Sequence, residues 1–114
     1  MLEAFGNKVA SARGMDYNGM LHATVTYKNG MVVTIHEINA GWPQFKATAY
    51  GDKGEAVFAH GAGEDGFFVG AKTYAKMFRT GKMPLPINEL ADSTRILAAI
   101  QKSMDSNGKE VKVR

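Results

Sequence analysis

The sequence predicts an α+β fold: an open-faced, mainly antiparallel β-sheet with two helices packed on one face. Two observations predict it. Apolar and polar residues alternate through the first half of the chain, which is typical of strands, whereas apolar residues recur at helical spacing from Phe67 onward. The loops between the strands are too short for the crossover that a parallel pair needs. The 114 residues are enough for one core, and we predict a single domain over residues 1–114.

The strands are predicted from runs rich in Val, Ile, Thr and Tyr. The Gly51-Asp52-Lys53-Gly54 segment is composed of residues that accept tight turns, and it separates the last two runs. The predicted strands are Lys8–Arg13, Met20–Tyr27, Met31–Asn39, Gln44–Tyr50 and Glu55–His60.

The Asn29-Gly30 pair predicts a β-hairpin between the second and third strands. This pair is preferred in two-residue type I′ loops because both residues tolerate positive φ. A two-residue loop here fixes the register, so that Val25 faces Thr34 and His22 faces Glu37.

Two helices follow the strands. Phe67–Arg79 has helical periodicity, and Gly81 suits its C-terminal cap. Asn88 is the expected N-cap of the second helix, which ends at Asn107-Gly108. A short strand, Glu110–Val113, returns to a sheet edge. The apolar face expected on the second helix comprises Leu90, Thr94, Leu97, Ile100 and Met104, widened by Ile96 and Ala98.

The face of the sheet away from the helices is predicted to be partly apolar. An antiparallel sheet with one free face normally exposes polar side chains there. In the register set by Asn29-Gly30, this face instead mixes apolar with polar residues, which indicates burial by a second subunit or domain. The predicted interface residues are His22, Thr24, Thr26, Val33, Ile35 and Glu37.

Composition narrows the classes of function. The net charge is only +3, and no basic stripe with interleaved aromatic residues is present, so we predict no nucleic-acid partner. The absence of cysteine removes disulfides, thiolate–zinc sites and thiol nucleophiles. No apolar run approaches the ~20 residues of a membrane span, so we predict no membrane association. A cytoplasmic location is expected, although a targeting signal upstream of Met1 would change it.

The chain offers few candidate catalytic or metal-binding groups. His22 and His36 fall on opposite faces of the predicted hairpin, so no metal site is expected from the histidines. We interpret His36, Trp42 and His60 as possible substrate-side contacts, with Trp42 suited to stack on a sugar ring. No catalytic residue is predicted.

The segment Gly61-Ala62-Gly63-Glu64-Asp65-Gly66 has the letters of a dinucleotide-binding motif, G-x-G-x-x-G. That motif binds pyrophosphate only in a βαβ unit, where a parallel strand runs into a helix whose N-terminal amides point at the phosphates. Here it follows an antiparallel strand. We therefore predict a flexible loop, with Glu64 and Asp65 solvated, and no cofactor-binding residue.

The order of these features resembles the C-terminal domain of the Gfo/Idh/MocA family of NAD(P)-dependent oxidoreductases. The similarity covers the chain from about Asn18 to its end. The segments that carry it are Tyr27-Lys28-Asn29-Gly30, the Gly51–Gly54 turn in Ala49–Glu55, Phe78-Arg79-Thr80-Gly81-Lys82 before Pro84, and the helix exit over Ser103–Val113. The resemblance implies an open sheet face that forms a homodimer or a higher homo-oligomer. It also implies a parent enzyme that oxidises or reduces a sugar, inositol or related hydroxyl compound.

Departures from the family pattern limit what can be carried over. The N-terminal Rossmann domain is missing, as are the family's Glu-Lys-Pro segment and its Asp-x-x-x-His pattern. We therefore expect this chain to bind no cofactor and to be inactive alone, with NAD or NADP bound by the full-length parent. One alternative is a stand-alone dimeric binding or assembly module. Another is a small α+β enzyme with a pocket around Trp42 and His36. A Rossmann-coding sequence in frame before Met1 would favour the oxidoreductase.

Overall fold

The computed structural model describes residues 6, 8–38, 44–61 and 64–113, and its class is α+β. The chain divides into two compact units. The first contains Met1–Asn39 and Leu85–Arg114, and the second contains Ala40–Pro84. The elements are β1 (Val9–Tyr17), β2 (Met20–Tyr27), β3 (Val32–Glu37), β4 (Gln44–Gly51), β5 (Gly54–Gly61), α1 (Glu64–Thr80), α2 (Ile87–Met104) and β6 (Val111–Lys112).

The first unit is a four-stranded antiparallel sheet in the order β3-β2-β1-β6, with α2 packed on one face. The strands β4 and β5 form a separate two-stranded sheet in the second unit. The predicted antiparallel pairing is confirmed, and the described strands are divided between two sheets. The helix α2 belongs to the first unit and α1 to the second.

A type I′ turn joins β1 to β2 at Asn18-Gly19. Tyr17 pairs with Met20 across a two-residue loop, and both loop residues have positive φ, 55° and 83°. The side chain of Asp16 closes the turn, because its Oδ1 accepts a hydrogen bond from the Gly19 amide at 2.7 Å. The chain therefore forms its type I′ hairpin at the earlier of the two Asn-Gly pairs that join strands.

The later pair, Asn29-Gly30, forms a longer loop, and the predicted type I′ turn is wrong. Only Gly30 has positive φ, at 87°. The amide of Tyr27 donates to the carbonyl of Met31, so three residues form the loop. Asn29 uses its side chain instead of a left-handed backbone, since its Oδ1 accepts a hydrogen bond from the Met31 amide at 3.1 Å.

The additional loop residue shifts the register of β3 by one position. Val25 pairs with Val33 rather than with Thr34, and His22 pairs with His36 rather than with Glu37. A one-residue shift moves every side chain of a strand to the other face of the sheet. Val33 and Ile35 consequently pack against the core under α2.

The core of the first unit lies between the sheet and one face of α2. Ile96, Ala99 and Ile100 contribute its helical side, and Ser103 is buried beside them. The predicted apolar face of α2 is wrong at Leu97 and Leu90, which are 66% and 43% exposed. Among the predicted residues, Ile96 and Ile100 are buried and Met104 packs against the core. The sheet side of the core is formed by Val9, Ala12, Ala23, Val25 and Tyr27.

A close approach between β1 and α2 explains which helix face is buried. A Cβ on Gly14 would lie 2.8 Å from Ile100 Cγ2 and 3.0 Å from the Ile100 carbonyl oxygen, so only glycine fits there. Ser103, which is fully buried, accepts a hydrogen bond from the Gly14 amide at 3.0 Å. The same hydroxyl donates to the Lys109 carbonyl at 2.6 Å. Small residues on the helix therefore let it lie directly against β1.

The ends of α2 match the prediction in part. The N-cap is Pro86 rather than Asn88, and no side chain caps the helix there. Glu89 lies in the first turn, where a carboxylate is favourable. At the other end, the amide of Gly108, with φ of 76°, donates to the Ser103 carbonyl, so the predicted exit at Asn107-Gly108 is confirmed.

The second unit contains the β4–β5 hairpin and α1. Gly51 pairs with Gly54 across Asp52-Lys53, as predicted. The helix α1 begins at Glu64, so the predicted loop is wrong for Glu64–Gly66, which form its first turn. It ends as predicted, because Gly81 has φ of 66° and its amide donates to the Met77 carbonyl.

No helix in the described ranges is both long enough and apolar enough to cross a membrane.

Candidate functional site: the open face of the four-stranded sheet

The open face is the side of the four-stranded sheet opposite α2. Strand alternation places on it every second residue of β1, β2 and β3. Its members are Arg13, Met15, Tyr17, Met20, His22, Thr24, Thr26, Val32, Thr34 and His36. Its centre is therefore polar, with threonines and histidines, and its largest apolar side chains lie towards its ends.

Three of the six predicted interface residues lie on the open face: His22, Thr24 and Thr26. The other three do not. Val33 and Ile35 pack against the core, and Glu37 shares their side of the strand. The open face gains Val32 and Thr34 in their place, so it is less apolar than the sequence predicted.

A histidine pair lies on the open face where β2 meets the edge strand β3. His22 and His36 are direct partners on β2 and β3, and their ring centres are 4.4 Å apart with an angle of 28° between the planes. Both side chains are exposed. The sequence analysis missed this pair because it placed the two residues on opposite faces. The sequence signal that could have found it is Asn29. An asparagine side chain can accept a hydrogen bond from the backbone two residues on, as Asn29 does from Met31, and such a turn has a longer loop.

An apolar cluster, Met15, Tyr17 and Met20, occupies the end of the open face near the Asn18-Gly19 turn. Met20 pairs with Tyr17, whose hydroxyl donates to the sulfur of Met15 at 3.3 Å. These three side chains are between 41% and 50% exposed. Together they offer an apolar contact surface beside the polar centre.

The edge of the sheet at β6 is charged, and Glu110 ties the segment leading into β6 to β1. Its carboxylate accepts a hydrogen bond from the Ser11 hydroxyl and forms an ion pair with Arg13 at 3.3 Å. The hydrogen bonds from Ser11 and then from Arg13 lower the pKa of the Glu110 carboxyl. These contacts hold the chain after α2 against β1, so the charged groups at this edge are explained by their role in the fold.

The predicted substrate-side contacts are not brought together by the described residues. His36 lies on the open face, paired with His22. His60 lies on β5, in the second unit, and pairs with Phe45. Trp42 lies outside the described residues.

Among the described residues, no three His, Asp or Glu side chains come close enough together to form a metal-binding group. Two shallow grooves occur in the first unit. One of about 520 Å³ is lined by Asp16, Leu21, Glu37 and Gln101 among others, and one of about 580 Å³ by Arg95, Lys102, Val111 and Lys112 among others. Neither contains a nucleophile beside a base, so the open face remains the best-defined candidate site.

In comparisons with known proteins, no protein-family model, curated protein or solved structure matches this chain.

Proposed function

We propose that this chain is a scaffolding and assembly domain that forms a homo-oligomer through the open face. The resemblance noted from the sequence extends the proposal: the domain acts as the substrate-side part of an oxidoreductase of the Gfo/Idh/MocA type. In that role it supplies a framework and an interface, while NAD or NADP is bound by a separate nucleotide-binding domain.

The amount of apolar surface left uncovered supports an assembly role and carries the proposal. In the described part of the chain, sixteen large apolar side chains are exposed and only eight apolar residues are buried. Monomeric proteins seldom expose extended apolar surface, so such surface indicates a protein partner. Four of the sixteen lie on the open face: Met15, Tyr17, Met20 and Val32. The most exposed, Tyr50, Phe67 and Phe78, belong to the second unit.

The first unit shows why the open face suits such a contact. Its opposite face is sealed by α2, so the core does not need a partner to close it. The apolar cluster Met15, Tyr17 and Met20, with Val32 on the neighbouring edge strand, offers contact area. The threonines between them supply hydrogen-bonding groups that tolerate water, as is usual at interfaces that also exist unassembled.

Light scattering on matched variants tests the assembly. We expect the wild-type chain to form a dimer or larger oligomer and Val32→Lys to dissociate it, because a charge would be buried in the contact. Leu97→Lys is the control, since Leu97 is similarly exposed but lies on α2, away from the open face. A wild-type monomer, or dissociation by Leu97→Lys alone, would contradict the proposal.

Cofactor titration tests the oxidoreductase part. If nicotinamide binding belongs to a separate domain, adding NADH or NADPH to this chain should give no saturable change in fluorescence or heat. Saturable binding at micromolar cofactor would contradict the oxidoreductase part of the proposal but not the assembly role.

A further inference from the structure

The histidine pair on the open face is exposed and is not part of the core of the first unit. His22 and His36 are exposed, whereas the buried polar groups at the β1–α2 contact are satisfied by Ser103. Among the residues that the structure describes, neither histidine takes part in an ion pair. The pair holds two imidazoles side by side on adjacent strands, and its registry is fixed by the hydrogen-bonded ladder beneath.

The spacing of the rings suits two ligands of one metal ion. With metal–nitrogen bonds of about 2.0–2.1 Å, the ring centres of two imidazoles bound side by side lie about 4.5–5 Å apart. The observed separation is 4.4 Å, but the rings are stacked with 28° between their planes, so their in-plane nitrogen lone pairs do not yet converge. Both side chains are exposed, and rotation about their side-chain bonds brings one nitrogen of each ring towards a common point above the sheet.

The surroundings of the pair determine the kind of ion. Asp16 and Glu37 follow Met15 and His36 in sequence, and strand alternation directs both carboxylates to the other face. Thr24 and Thr34, the next pair on the open face, are neutral. Imidazole nitrogens without carboxylates select borderline transition metals over magnesium or calcium.

Methionine sulfur is not part of the ligand set. Met15 is the β1 partner of His22, but its side chain packs beside Gly108, where its sulfur lies 3.1 Å from the position of a Cβ on that glycine. The site thus provides two nitrogen ligands and leaves the remaining coordination positions open to solvent.

We propose that His22 and His36 together bind a divalent transition-metal ion on the open face. Both ligands come from a single chain. This metal site is therefore a property beyond the proposed assembly role, and it does not depend on that role. Copper(II) is the ion that such nitrogen ligands hold most tightly among the first-row divalent metals, and it is the probe of choice. Binding requires neutral imidazoles and therefore weakens in acid solution.

Calorimetric titration of the full chain with Cu²⁺ tests the site. At protein concentrations where the chain is monomeric and its open face is uncovered, we expect one saturable ion per chain. The electron paramagnetic resonance spectrum should then show nitrogen hyperfine coupling from two imidazoles. His22→Ala and His36→Ala should each weaken binding at least about tenfold, because one of two ligands is lost. Both side chains are exposed, and circular dichroism would verify that the variants fold.

Two variants serve as controls. His60→Ala removes the histidine of the second unit, and Met15→Leu removes the neighbouring sulfur; both should bind Cu²⁺ as the wild type does. The proposal is overturned if His22→Ala and His36→Ala bind normally, if His60→Ala weakens binding as much as they do, or if the spectrum shows fewer than two imidazole nitrogens.

Discussion

At the scale of single residues, Tyr27 is the clearest case of a buried polar group that lowers the stability of the core. Its side chain is 3% exposed, and its hydroxyl has no hydrogen-bond partner among the described residues. Burial raises the pKa of the Tyr27 phenol, because the charged form loses its hydration. An unpaired buried hydroxyl costs free energy that an apolar ring of the same shape would not.

We expect Tyr27→Phe to raise the free energy of unfolding by about 1 kcal/mol at pH 7, because it removes a polar atom without a partner. The gain should grow in alkaline solution. The unfolded tyrosine loses its proton near pH 10, whereas the folded one keeps it, so wild-type stability falls as the pH rises from about 10 through the folded-state pKa. Urea unfolding at pH 7 and pH 10.5 measures both effects.

Tyr74→Phe is the matched control, since Tyr74 is 60% exposed and its substitution should change little. A loss of stability in Tyr27→Phe at pH 7 would show that the hydroxyl does have a partner in solution.

The two Asn-Gly pairs that join strands, Asn18-Gly19 and Asn29-Gly30, show where local sequence stops determining local structure. Both pairs have the residue types of a type I′ turn, yet only Asn18-Gly19 forms one. The difference is in the side chains: Asp16 bonds the Gly19 amide, whereas Asn29 bonds the Met31 amide and lengthens its loop. The dipeptide predicted a hairpin correctly, but it could not fix the register, and the error carried to the face of every residue on β3.

At the scale of elements, α2 shows how a helix selects its buried face. Sequence periodicity put Leu90 and Leu97 on the apolar face together with Ile96 and Ile100. The sheet buries the two isoleucines and leaves the two leucines exposed, because Ala99 and Ser103 allow a close approach to Gly14 on β1. Periodicity predicts that a helix has a buried side, while the fit to the neighbouring strand decides which side it is.

Adjacent positions on α2 provide a direct test of that choice. Ile96→Ala should lower the free energy of unfolding by about 2–5 kcal/mol, because it opens a cavity at a residue that is 2% exposed. Leu97→Ala should change it by no more than about 0.5 kcal/mol, since that side chain is mostly in solvent. Equal losses in chemical denaturation would mean that the helix is rotated from its described position.

At the scale of the whole molecule, the α+β class and nearly every element could be predicted from sequence, because alternation and helical spacing are local signals. The division into two sheets could not. Strand alternation identifies β3 and β4 as strands without stating that they pair, and they belong to different sheets. The histidine pair was missed for a related reason: it depends on registry between strands, which a loop of one extra residue changed.

The first unit should be more stable than the second, because the two units differ in how much side-chain surface they bury. Every residue of the described core belongs to the first unit, whereas no described side chain of the second unit is fully buried. A two-stranded hairpin with little buried surface is marginally stable. In native-state hydrogen exchange, amides within β4 and β5 should therefore exchange at least about tenfold faster than those within β1 and β2.

The comparison should be made at low protein concentration, where a partner would not cover the second unit. Amides of β1 that face β2 serve as the internal reference, since that pairing extends over most of both strands. Equal protection in the two hairpins would contradict the expectation and show that the second unit obtains its stability from contacts beyond its own described residues. Protection of β4 and β5 that rises with protein concentration would instead mean that the apolar side chains exposed there, such as Val57, are covered when the chain associates.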